Sequence, residues 1–406
     1  MNRPYKYIVL LGDGMSDRPV EALDGQTPLE AALTPTWDVL AQRSTVGIAC
    51  TTPDSMSPGS DICNLSVMGY DPERYHTGRS PIEAASIGVP MKDTDTTFRT
   101  NFVTLGEEEG YENKTMVDYS AGEISTEEAA QLIEALNAAF QDEHFAFFTG
   151  TSYRHILRWD AAPAGIPLTP PHDISLQKIT DHLPGHPALL DMMRRSYDIL
   201  REHPVNVERK AKGLNPANSI WFWGQGTKMI LPSFQEKTGL KGGAISAVDL
   251  VKGIAVSAGM DVFPVEGATG NYETNFLGKA QTAVNKLREG YDFVYIHVEA
   301  PDECGHRNQL KEKIYSIQQL DAMTDLICKQ LEMDGYPYRL LIAPDHETPL
   351  CTMTHGRTPV PFLLYDSENP VAQPAALRLT EACANATGVV VKPGFHIMDL
   401  LLNKPS

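Results

Sequence analysis

Short apolar runs that stop at Gly, Pro or Asp recur along the chain and alternate with longer amphipathic stretches. Three of these runs are each followed within four residues by an aspartate: residues 7–11 by Asp13, 292–298 by Asp302 and 339–343 by Asp345. Apolar runs of this length, bounded by turn residues, predict buried strands. We therefore expect three strands that end in carboxylates.

Apolar residues recur every three or four positions in the stretches between such runs, as in 247–258 and 311–331. This period predicts helices, and the alternation predicts an α/β fold with a mainly parallel sheet flanked by helices. In such a sheet the carboxyl ends of the strands meet at one edge, where ligands bind. Asp13, Asp302 and Asp345 are therefore expected to meet there.

The segment 96–187 breaks this alternation. It contains a helical pattern near 126–139, and its end at 161–187 is rich in proline and glycine. This change predicts an inserted, smaller α+β cap domain at 96–187, within a discontinuous core formed by 1–95 and 188–406.

The composition narrows the classes of partner. The formal net charge of −18 argues against a general nucleic-acid partner, because phosphate backbones are bound by clustered Lys and Arg, and the chain has no such run. No apolar run approaches the length that spans a membrane. The six cysteines are scattered and form no CxxC pair, which favours reduced thiols. We expect a cytoplasmic protein, and a homo-oligomer stays an open alternative.

Histidines stand beside the carboxylates that follow the predicted strands. His306 follows Asp302 by four residues, His346 follows Asp345 directly, and His355 stands nine residues further on. A four-residue spacing places two side chains on one face of a helical turn. Three carboxylates and three imidazoles suit Zn²⁺ or Mn²⁺ and suffice for two metal ions. The alternative for Asp302 and His306 alone is a surface salt bridge or a helix cap.

Ser60 lies between a predicted strand at 45–51 and a predicted helix at 62–69. An ordinary N-cap is one explanation of a serine at this position. The same position directs backbone N–H groups and the helix dipole at any group attached to the serine oxygen, which favours phosphate. A metal ion bound to Oγ would make the serine a nucleophile.

Several motifs occur in a set order along the chain. They are Gly12-Asp13-Gly14, Pro58-Gly59-Ser60-Asp61, Leu65-Ser66-Val67-Met68-Gly69-Tyr70-Asp71-Pro72, Tyr153-Arg154-His155, Asp302-x-x-x-His306, Asp345-His346 and His355. Their order and spacing resemble those of the cofactor-independent phosphoglycerate mutases of the alkaline phosphatase superfamily, archaeal-type branch. The resemblance extends over essentially the whole chain.

The resemblance implies an alkaline phosphatase-like core and a metal-dependent isomerase. Such an enzyme interconverts 3-phosphoglycerate and 2-phosphoglycerate through a phosphoserine intermediate, with a small phosphorylated metabolite as its partner. The implied ligands of one metal are Asp302, His306 and His355, and those of the second are Asp13, Ser60, Asp345 and His346. Manganese or zinc is expected, with Mg²⁺ and Co²⁺ as alternatives.

The predicted cap domain carries candidates for binding the substrate. These are Arg99, Arg154, Arg158, His155, His172 and Asp173. The three arginines offer planar guanidinium groups that bind phosphate or carboxylate through two hydrogen bonds, with a surface salt bridge as the alternative for each. The histidines and the aspartate are candidates for moving protons between substrate hydroxyls, with a loop turn as the alternative for His172-Asp173.

Three other functions remain open. The run Trp221-Phe222-Trp223-Gly224-Gln225-Gly226-Thr227-Lys228 resembles a branch proposed to act as homoserine kinase, although the chain has no G-x-x-x-x-G-K-[ST] loop and no protein-kinase motifs. A phosphatase or phosphodiesterase would use the same metals and serine but admit water. A non-catalytic relative would be expected to lack Ser60 or a metal ligand, and all seven implied ligands are present.

Overall fold

A computed structural model describes residues 4–403 of the 406-residue chain. The strands in this part of the chain are β1 (Lys6–Gly12), β2 (Ser44–Ala49), β3 (Asp95–Leu105), β4 (Met116–Asp118), β5 (Phe145–Thr151), β6 (Arg154–Asp160), β7 (Ser219–Thr227), β8 (Gly242–Ile245), β9 (Asp261–Val262), β10 (Phe293–Val298), β11 (Tyr338–Ala343), β12 (Val360–Asp366) and β13 (Val390–Val391).

The helices follow the same chain order. They are α1 (Pro28–Ala31), α2 (Pro35–Ala41), α3 (Ser60–Val67), α4 (Pro72–Tyr75), α5 (Arg79–Ser86), α6 (Thr126–Phe140), α7 (Pro187–Leu200), α8 (Pro204–Ala211), α9 (Phe234–Thr238), α10 (Asp249–Ser257), α11 (Phe276–Arg288), α12 (Ala300–His306), α13 (Leu310–Asp334), α14 (Glu381–Ala386) and α15 (Ile397–Leu402). Short 3₁₀ turns lie at Glu21–Leu23, Tyr111–Asn113, Pro171–Ile174, Thr180–His182 and Gly394–His396.

The chain forms two compact units. The first unit ends at His76 and resumes at Ile230, and the second unit is Thr77–Met229. The first unit contains an eight-stranded sheet in the order β13-β2-β12-β11-β1-β10-β8-β9. Only its pairings with β12 are antiparallel, so the sheet is mainly parallel.

The central strands of this sheet are buried on both faces. β1 reads KYIVLLG and β10 reads FVYIHV, continuous apolar runs typical of a parallel strand covered by helices. Helices α11 and α13 contribute Ala283, Leu287, Leu320 and Ile327 to the same core as Ile8 of β1. The predicted α/β fold with a mainly parallel sheet flanked by helices is thus confirmed.

The second unit contains a five-stranded antiparallel sheet. Its central strand, β3, is buried along all eleven residues and pairs with β6 on one side and β7 on the other. Helix α6 starts at a capping box formed by Ser125 and Glu128 and buries Leu132 and Leu136 against the sheet. The unit is an α+β structure.

The second unit is wider at both ends than the segment 96–187 expected from the sequence. Helix α5 precedes this segment, and α7, α8 and β7 follow it. The Pro- and Gly-rich stretch near 183–187 leads into α7, whose Leu189 and Met193 lie in the same core as β3. The segment extends because β7 returns to pair with β3, a long-range contact that local composition does not reveal.

In the described part of the chain, all six cysteines are free thiols. No helix between residues 4 and 403 combines the length and the apolar character needed to cross a membrane.

Candidate active site and metal centre

Three neighbouring parallel strands bring three carboxylates to one edge of the large sheet. β1 pairs in parallel with β10 on one side and β11 on the other. Asp13 follows β1 directly, Asp345 follows β11 after one proline, and Asp302 lies in the first turn of α12, just after β10. All three are at most 5% exposed. The structure brings these carboxylates together, as the strand ends predict.

Two groups of side chains at this edge could each hold a metal ion. One group is Asp302, His346 and His355, and the other is Asp13, Asp345 and His346; within each, the ligand atoms lie within 4.8 Å of one another. His346 belongs to both groups, and its ring centroid lies 4.0 Å from that of His355. The two groups therefore form one continuous centre.

His306, the last residue of α12, lies against the first group. Its Nε2 is 3.2 Å from Asp302 Oδ2 and 2.9 Å from His355 Nε2. Its Nδ1 is 2.9 Å from the carbonyl oxygen of Met353, which can only accept a hydrogen bond, so Nδ1 carries a proton. Nε2 is thus the atom that His306 presents to this group.

Ser60 is the first residue of α3, and the N-cap position belongs to Gly59. The ordinary N-cap role considered for Ser60 therefore does not apply. Ser60 Oγ lies 3.3 Å from His346 Nε2, which places the hydroxyl beside the residue shared by both groups. The helix begins and ends two residues earlier than the predicted 62–69.

Asp13 has one oxygen paired and one unpaired. Its Oδ2 lies 2.8 Å from His297 Nε2. Its Oδ1 lies 3.4 Å from His346 Nε2 but has no hydrogen-bond partner among the described residues. Burial raises the pKa of Asp13 well above its usual range, and the charges of Asp345 and Asp302 raise it further. A carboxyl group in this position stays ionised only when a positive charge lies beside it, and otherwise takes up a proton.

Asp302 differs from Asp13 because two histidines face it. Burial alone would raise the pKa of Asp302, but hydrogen bonds from His306 and His355 hold it well below its usual range. The same hydrogen bond to Asp302 raises the pKa of His306 to about 9. In His346, by contrast, burial lowers the pKa.

The second unit brings three of the predicted substrate residues into one cluster. The guanidinium carbon of Arg99 lies 3.9 Å from the ring centroid of Trp223, and the His172 ring lies 5.2 Å from the same indole. Burial lowers the pKa of Arg99 to about 10, with smaller contributions from the charges of Arg79 and Arg154, while Glu83, whose carboxylate lies 2.9 Å from Arg99 Nε, acts in the opposite direction. Arg99 and Arg154 therefore bring two guanidinium groups close together, an arrangement that suits an anion, and Glu83 balances part of their charge.

The remaining predicted residues of this unit are placed differently. Arg158 donates to the carbonyl oxygen of Pro90 at 2.9 Å. His155 is 2% exposed, and burial lowers its pKa to about 3. Asp173 Oδ1 lies 3.6 Å from His172 Nε2 on an exposed turn. Arg158 and His155 are engaged in the packing of the unit, whereas Asp173 stays beside His172.

Comparisons with known proteins agree with these features. A family model described as 2,3-bisphosphoglycerate-independent phosphoglycerate mutase matches residues 41–206. A probable 2,3-bisphosphoglycerate-independent phosphoglycerate mutase from Geobacter sulfurreducens is 47% identical over 403 residues, covering 98% of this chain and 100% of that protein. The corresponding mutase of Methanosarcina barkeri is 45% identical, covering 89% of this chain and 91% of that protein.

The chain belongs to the 2,3-bisphosphoglycerate-independent phosphoglycerate mutases. The family resemblance seen in the sequence motifs is confirmed. A solved protein from Pyrococcus horikoshii is 30% identical, with a TM-score of 0.82 and coverage of 99% of this chain and 98% of that one. A cofactor-independent phosphoglycerate mutase from Thermoplasma acidophilum shares the fold, with a TM-score of 0.68 at 24% identity over 98% of this chain and 99% of that one.

The candidate centre in this chain has a donor set that fits divalent metal ions. It combines carboxylate oxygens and imidazole nitrogens, which suit Zn²⁺ and Mn²⁺. The unpaired, buried Oδ1 of Asp13 and the crowding of Asp13 by Asp345 fit a site whose negative charge is balanced by a cation.

Sequence reasoning missed several buried residues that contact the candidate centre. Tyr295 and His297 occupy alternate positions of β10 and so point to the same face of the sheet. His297 contacts Asp13, while the Tyr295 hydroxyl donates to Asn64 Oδ1 at 2.7 Å. Asn64 Nδ2 in turn donates to Asp345 Oδ2 at 2.8 Å. The sequence signal that could have revealed these residues is the tyrosine hydroxyl and the histidine imidazole at alternate positions of the otherwise apolar strand β10.

Proposed function

We propose that this protein interconverts 3-phosphoglycerate and 2-phosphoglycerate without 2,3-bisphosphoglycerate, and that Ser60 carries the phosphate between the two positions. The observation that carries the proposal is the position of Ser60 Oγ. It lies at the start of α3 and 3.3 Å from His346 Nε2, beside two groups of potential metal ligands. The relatives are named as phosphoglycerate mutases, and the chain covers most of their length. Both facts support the same substrate pair.

Two divalent metal ions, Mn²⁺ or Zn²⁺, are part of the proposal. Asp302, His306 and His355 would hold one ion, and Asp13, Ser60, Asp345 and His346 would hold the other; the close contacts within each set support this division. When bound, such ions supply positive charge that stabilises the attacking and leaving oxygens of an in-line phosphoryl transfer.

The chain's own residues would act as follows. Ser60 Oγ, as the alkoxide, forms a bond to the phosphorus of 3-phosphoglycerate, the bond from phosphorus to the 3-oxygen of glycerate breaks, and that oxygen takes up the proton that the 2-hydroxyl gives up. The 2-oxygen then attacks the phosphoserine, which restores Ser60 and releases 2-phosphoglycerate. While the phosphate is bound to Ser60, the N-terminus of α3 stabilises its negative charge, because the helix dipole places partial positive charge there. Neither water nor nucleotide is consumed.

In this proposal the second unit binds the glycerate. Arg99 and Arg154 are proposed to bind its carboxylate, because their charges lie close together and the guanidinium carbon of Arg99 lies 3.9 Å from the ring centroid of Trp223. His172, with Asp173 beside it, is the proposed carrier of a proton between the 2- and 3-hydroxyl groups. The burial of His155 and the contact of Arg158 with the Pro90 carbonyl oxygen do not support a substrate role for either.

The glycine-containing run 221–228, which raised the homoserine kinase alternative, lies largely in strand β7. A Cβ atom on Gly226 would lie 2.6 Å from Pro81 Cδ and 2.8 Å from the Thr77 carbonyl oxygen. Close packing between β7 and the start of α5 therefore explains this glycine without a nucleotide. No observation in the described residues favours the kinase over the mutase.

The decisive experiment supplies the Mn²⁺-loaded protein with 3-phosphoglycerate alone and follows 2-phosphoglycerate through a coupled enolase assay. Parallel reactions contain homoserine with ATP, and 3-phosphoglycerate with a phosphate-release reagent. Formation of 2-phosphoglycerate without nucleotide supports the proposal. Phosphorylation of homoserine with untouched 3-phosphoglycerate would reject the substrate assignment, and inorganic phosphate as the main product would indicate a phosphatase.

A further inference from the structure

One threonine touches both groups of potential metal ligands. Thr348 is completely buried and lies two residues after His346. Its hydroxyl donates to Asp302 Oδ1 and also lies 3.2 Å from His346 Nδ1. Asp302 belongs to one group, and His346 is shared with the group that contains Asp13 and Asp345. The Thr348 hydroxyl therefore connects the two groups through hydrogen bonds.

The chemistry of the hydroxyl determines which nitrogen of His346 carries the proton. A threonine hydroxyl has one proton, and an ionised carboxylate can only accept, so that proton is directed to Asp302. The hydroxyl oxygen can then only accept from His346, so Nδ1 must carry the imidazole proton. The lone pair of His346 is therefore on Nε2, the atom that faces Ser60 Oγ at 3.3 Å and Asp13 Oδ1 at 3.4 Å.

The backbone of Thr348 is held equally firmly. Lys313, whose side chain is fully buried, donates to the Thr348 carbonyl oxygen at 2.8 Å and pairs with Asp17 at 2.7 Å. Asp17 in turn accepts from the Leu350 N–H at 3.3 Å. These contacts fix the chain on the carboxyl side of Thr348.

Two glycines allow the backbone to pass close to Thr348. A Cβ atom on Gly14 would lie 2.5 Å from Thr348 Oγ1, and one on Gly305 would lie 2.7 Å from Thr348 Cγ2. Gly14 also has a φ of +57°, a conformation that disfavours any other residue. The lack of a side chain at both positions therefore makes room for the observed position of Thr348.

We propose that Thr348 is a positioning residue that couples the two metal positions, by holding His346 in the Nδ1-protonated tautomer and Asp302 in one orientation. This inference rests on the proposed metal centre and adds a residue that is not itself a ligand. Metal-ligating histidines commonly donate their other N–H to a protein acceptor, and the loss of such an acceptor costs roughly 10- to 100-fold in metal affinity. Here the acceptor also binds a carboxylate of the neighbouring group, so both positions depend on it.

The first test compares Mn²⁺ binding by the metal-free wild-type protein, Thr348→Val and Thr348→Ser in isothermal titration calorimetry. Valine keeps the shape of threonine but removes the hydroxyl, whereas serine keeps the hydroxyl. We expect Thr348→Val to bind both ions roughly 10- to 100-fold more weakly and Thr348→Ser to stay close to the wild type. Wild-type affinity in Thr348→Val, or equal losses in both variants, would overturn the inference.

The second test needs no substitution at Thr348. Nitrogen NMR of histidine-labelled, metal-free wild-type protein reports the tautomer of His346, whose signal is assigned by its loss in His346→Asn. A proton on Nδ1 is the expected result, and a proton on Nε2 overturns the inference even if Thr348→Val does not fold. Failure of the wild-type protein to bind Mn²⁺ would instead reject the metal centre on which the inference rests.

Discussion

The imidazole of His297 lies 2.8 Å from the carboxylate of Asp13, although 284 positions separate the two residues in the chain. Both side chains are buried, and the other ring nitrogen of His297 lies 3.1 Å from Ser246 Oγ. A carboxylate held in this way has its rotamer set before any cation binds. His297 therefore supports one of the two groups of potential ligands, the one that contains Asp13.

Removal of the His297 donor should weaken metal binding at the Asp13 position alone. We expect His297→Leu to bind one Mn²⁺ ion roughly 10- to 100-fold more weakly, because Oδ2 of Asp13 loses its partner. His297→Gln, whose amide can still donate, should lose less. Titration calorimetry that resolves the two ions tests this, and a uniform loss at both positions would contradict the assignment of His297 to one group.

Replacement of Ser60 by alanine should abolish transfer and leave the fold and the ligand groups intact. Ser60 makes no side-chain cap, so little stability depends on its hydroxyl. We expect turnover of 3-phosphoglycerate to fall by roughly 10³-fold or more, because the covalent route is lost. Intact-protein mass spectrometry after acid quenching should detect a phosphoryl adduct on the wild type and none on Ser60→Ala. Activity near the wild-type level in Ser60→Ala would exclude the phosphoserine route.

Substitution of Gly14 by alanine should disturb the centre beyond the cost of backbone strain. The new Cβ would lie 2.5 Å from both Asp302 Oδ1 and Thr348 Oγ1. Gly25 provides a matched control, because its φ is +84° but nothing lies within 4 Å of its Cβ position. We expect Gly25→Ala to lose about 1–2 kcal/mol of stability, the cost of the left-handed backbone, and Gly14→Ala to lose more.

Urea denaturation and Mn²⁺ titration of the two glycine variants separate strain from steric conflict. Only Gly14→Ala should also lose metal affinity. Equal behaviour of the two variants would mean that Thr348 and Asp302 can move aside.

Metal binding should stabilise the protein, and Asp13 should be one reason. Because burial and the charges of Asp345 and Asp302 raise the pKa of Asp13, the folded state disfavours its anion. A raised carboxyl pKa means that this group costs stability above its ordinary pKa, and the cost grows as the pH rises towards the folded-state pKa. A bound cation offsets this cost, and saturation at a hundred times Kd adds about 2.7 kcal/mol.

We therefore expect Mn²⁺ to raise the Tm of the wild type at pH 7.5 and EDTA to reverse the rise. Asp13→Asn should raise the Tm of the metal-free protein while reducing the response to Mn²⁺. Asp93→Asn, at an exposed residue paired with Lys228 in the second unit, is the control and should change neither value. A metal-free Asp13→Asn protein less stable than the wild type would contradict this account of Asp13.

Arg99 should govern binding of the substrate. Arg99→Lys keeps the charge but loses the planar group that lies against Trp223. We expect KM for 3-phosphoglycerate to rise by roughly 10-fold or more, in line with about 1.5–3 kcal/mol for a charge-assisted hydrogen bond. Arg158→Lys is the matched control, because Arg158 donates to the Pro90 carbonyl oxygen, and its KM should stay near the wild-type value. A rise in KM of the same size in both variants would indicate a general effect on the unit.

Much of the fold and of the candidate centre could be predicted from local patterns. The apolar runs before Asp13 and Asp345 end within one residue of the predicted positions, because burial on both faces of a parallel strand requires a continuous apolar run. A carboxylate at such a strand end lies at the edge where ligands bind, so the convergence of Asp13, Asp302 and Asp345 followed from the strand assignments. The residue types then indicated metal ligands.

Other features depend on contacts between distant parts of the chain. The extent of the second unit is set by the pairing of β7 with β3, and the Pro- and Gly-rich stretch before α7 marked a turn within that unit rather than its end. Within it, Arg158 and Arg99 look equivalent in sequence, but only Arg99 lies in the cluster with Trp223. Which arginine faces which neighbour depends on strand register, which no local pattern specifies.

The sequence by itself determined the fold class, the order of the strands and helices near the centre, and the chemical types of the ligands, because these follow from periodicity and from residue type. Only the tertiary structure decided that His346 is shared by both groups, that His297 supports Asp13 and that Thr348 connects His346 to Asp302. These relationships arise when separate strands and loops are packed at one edge of a sheet. Their distances are set by packing between residues that are far apart in the chain.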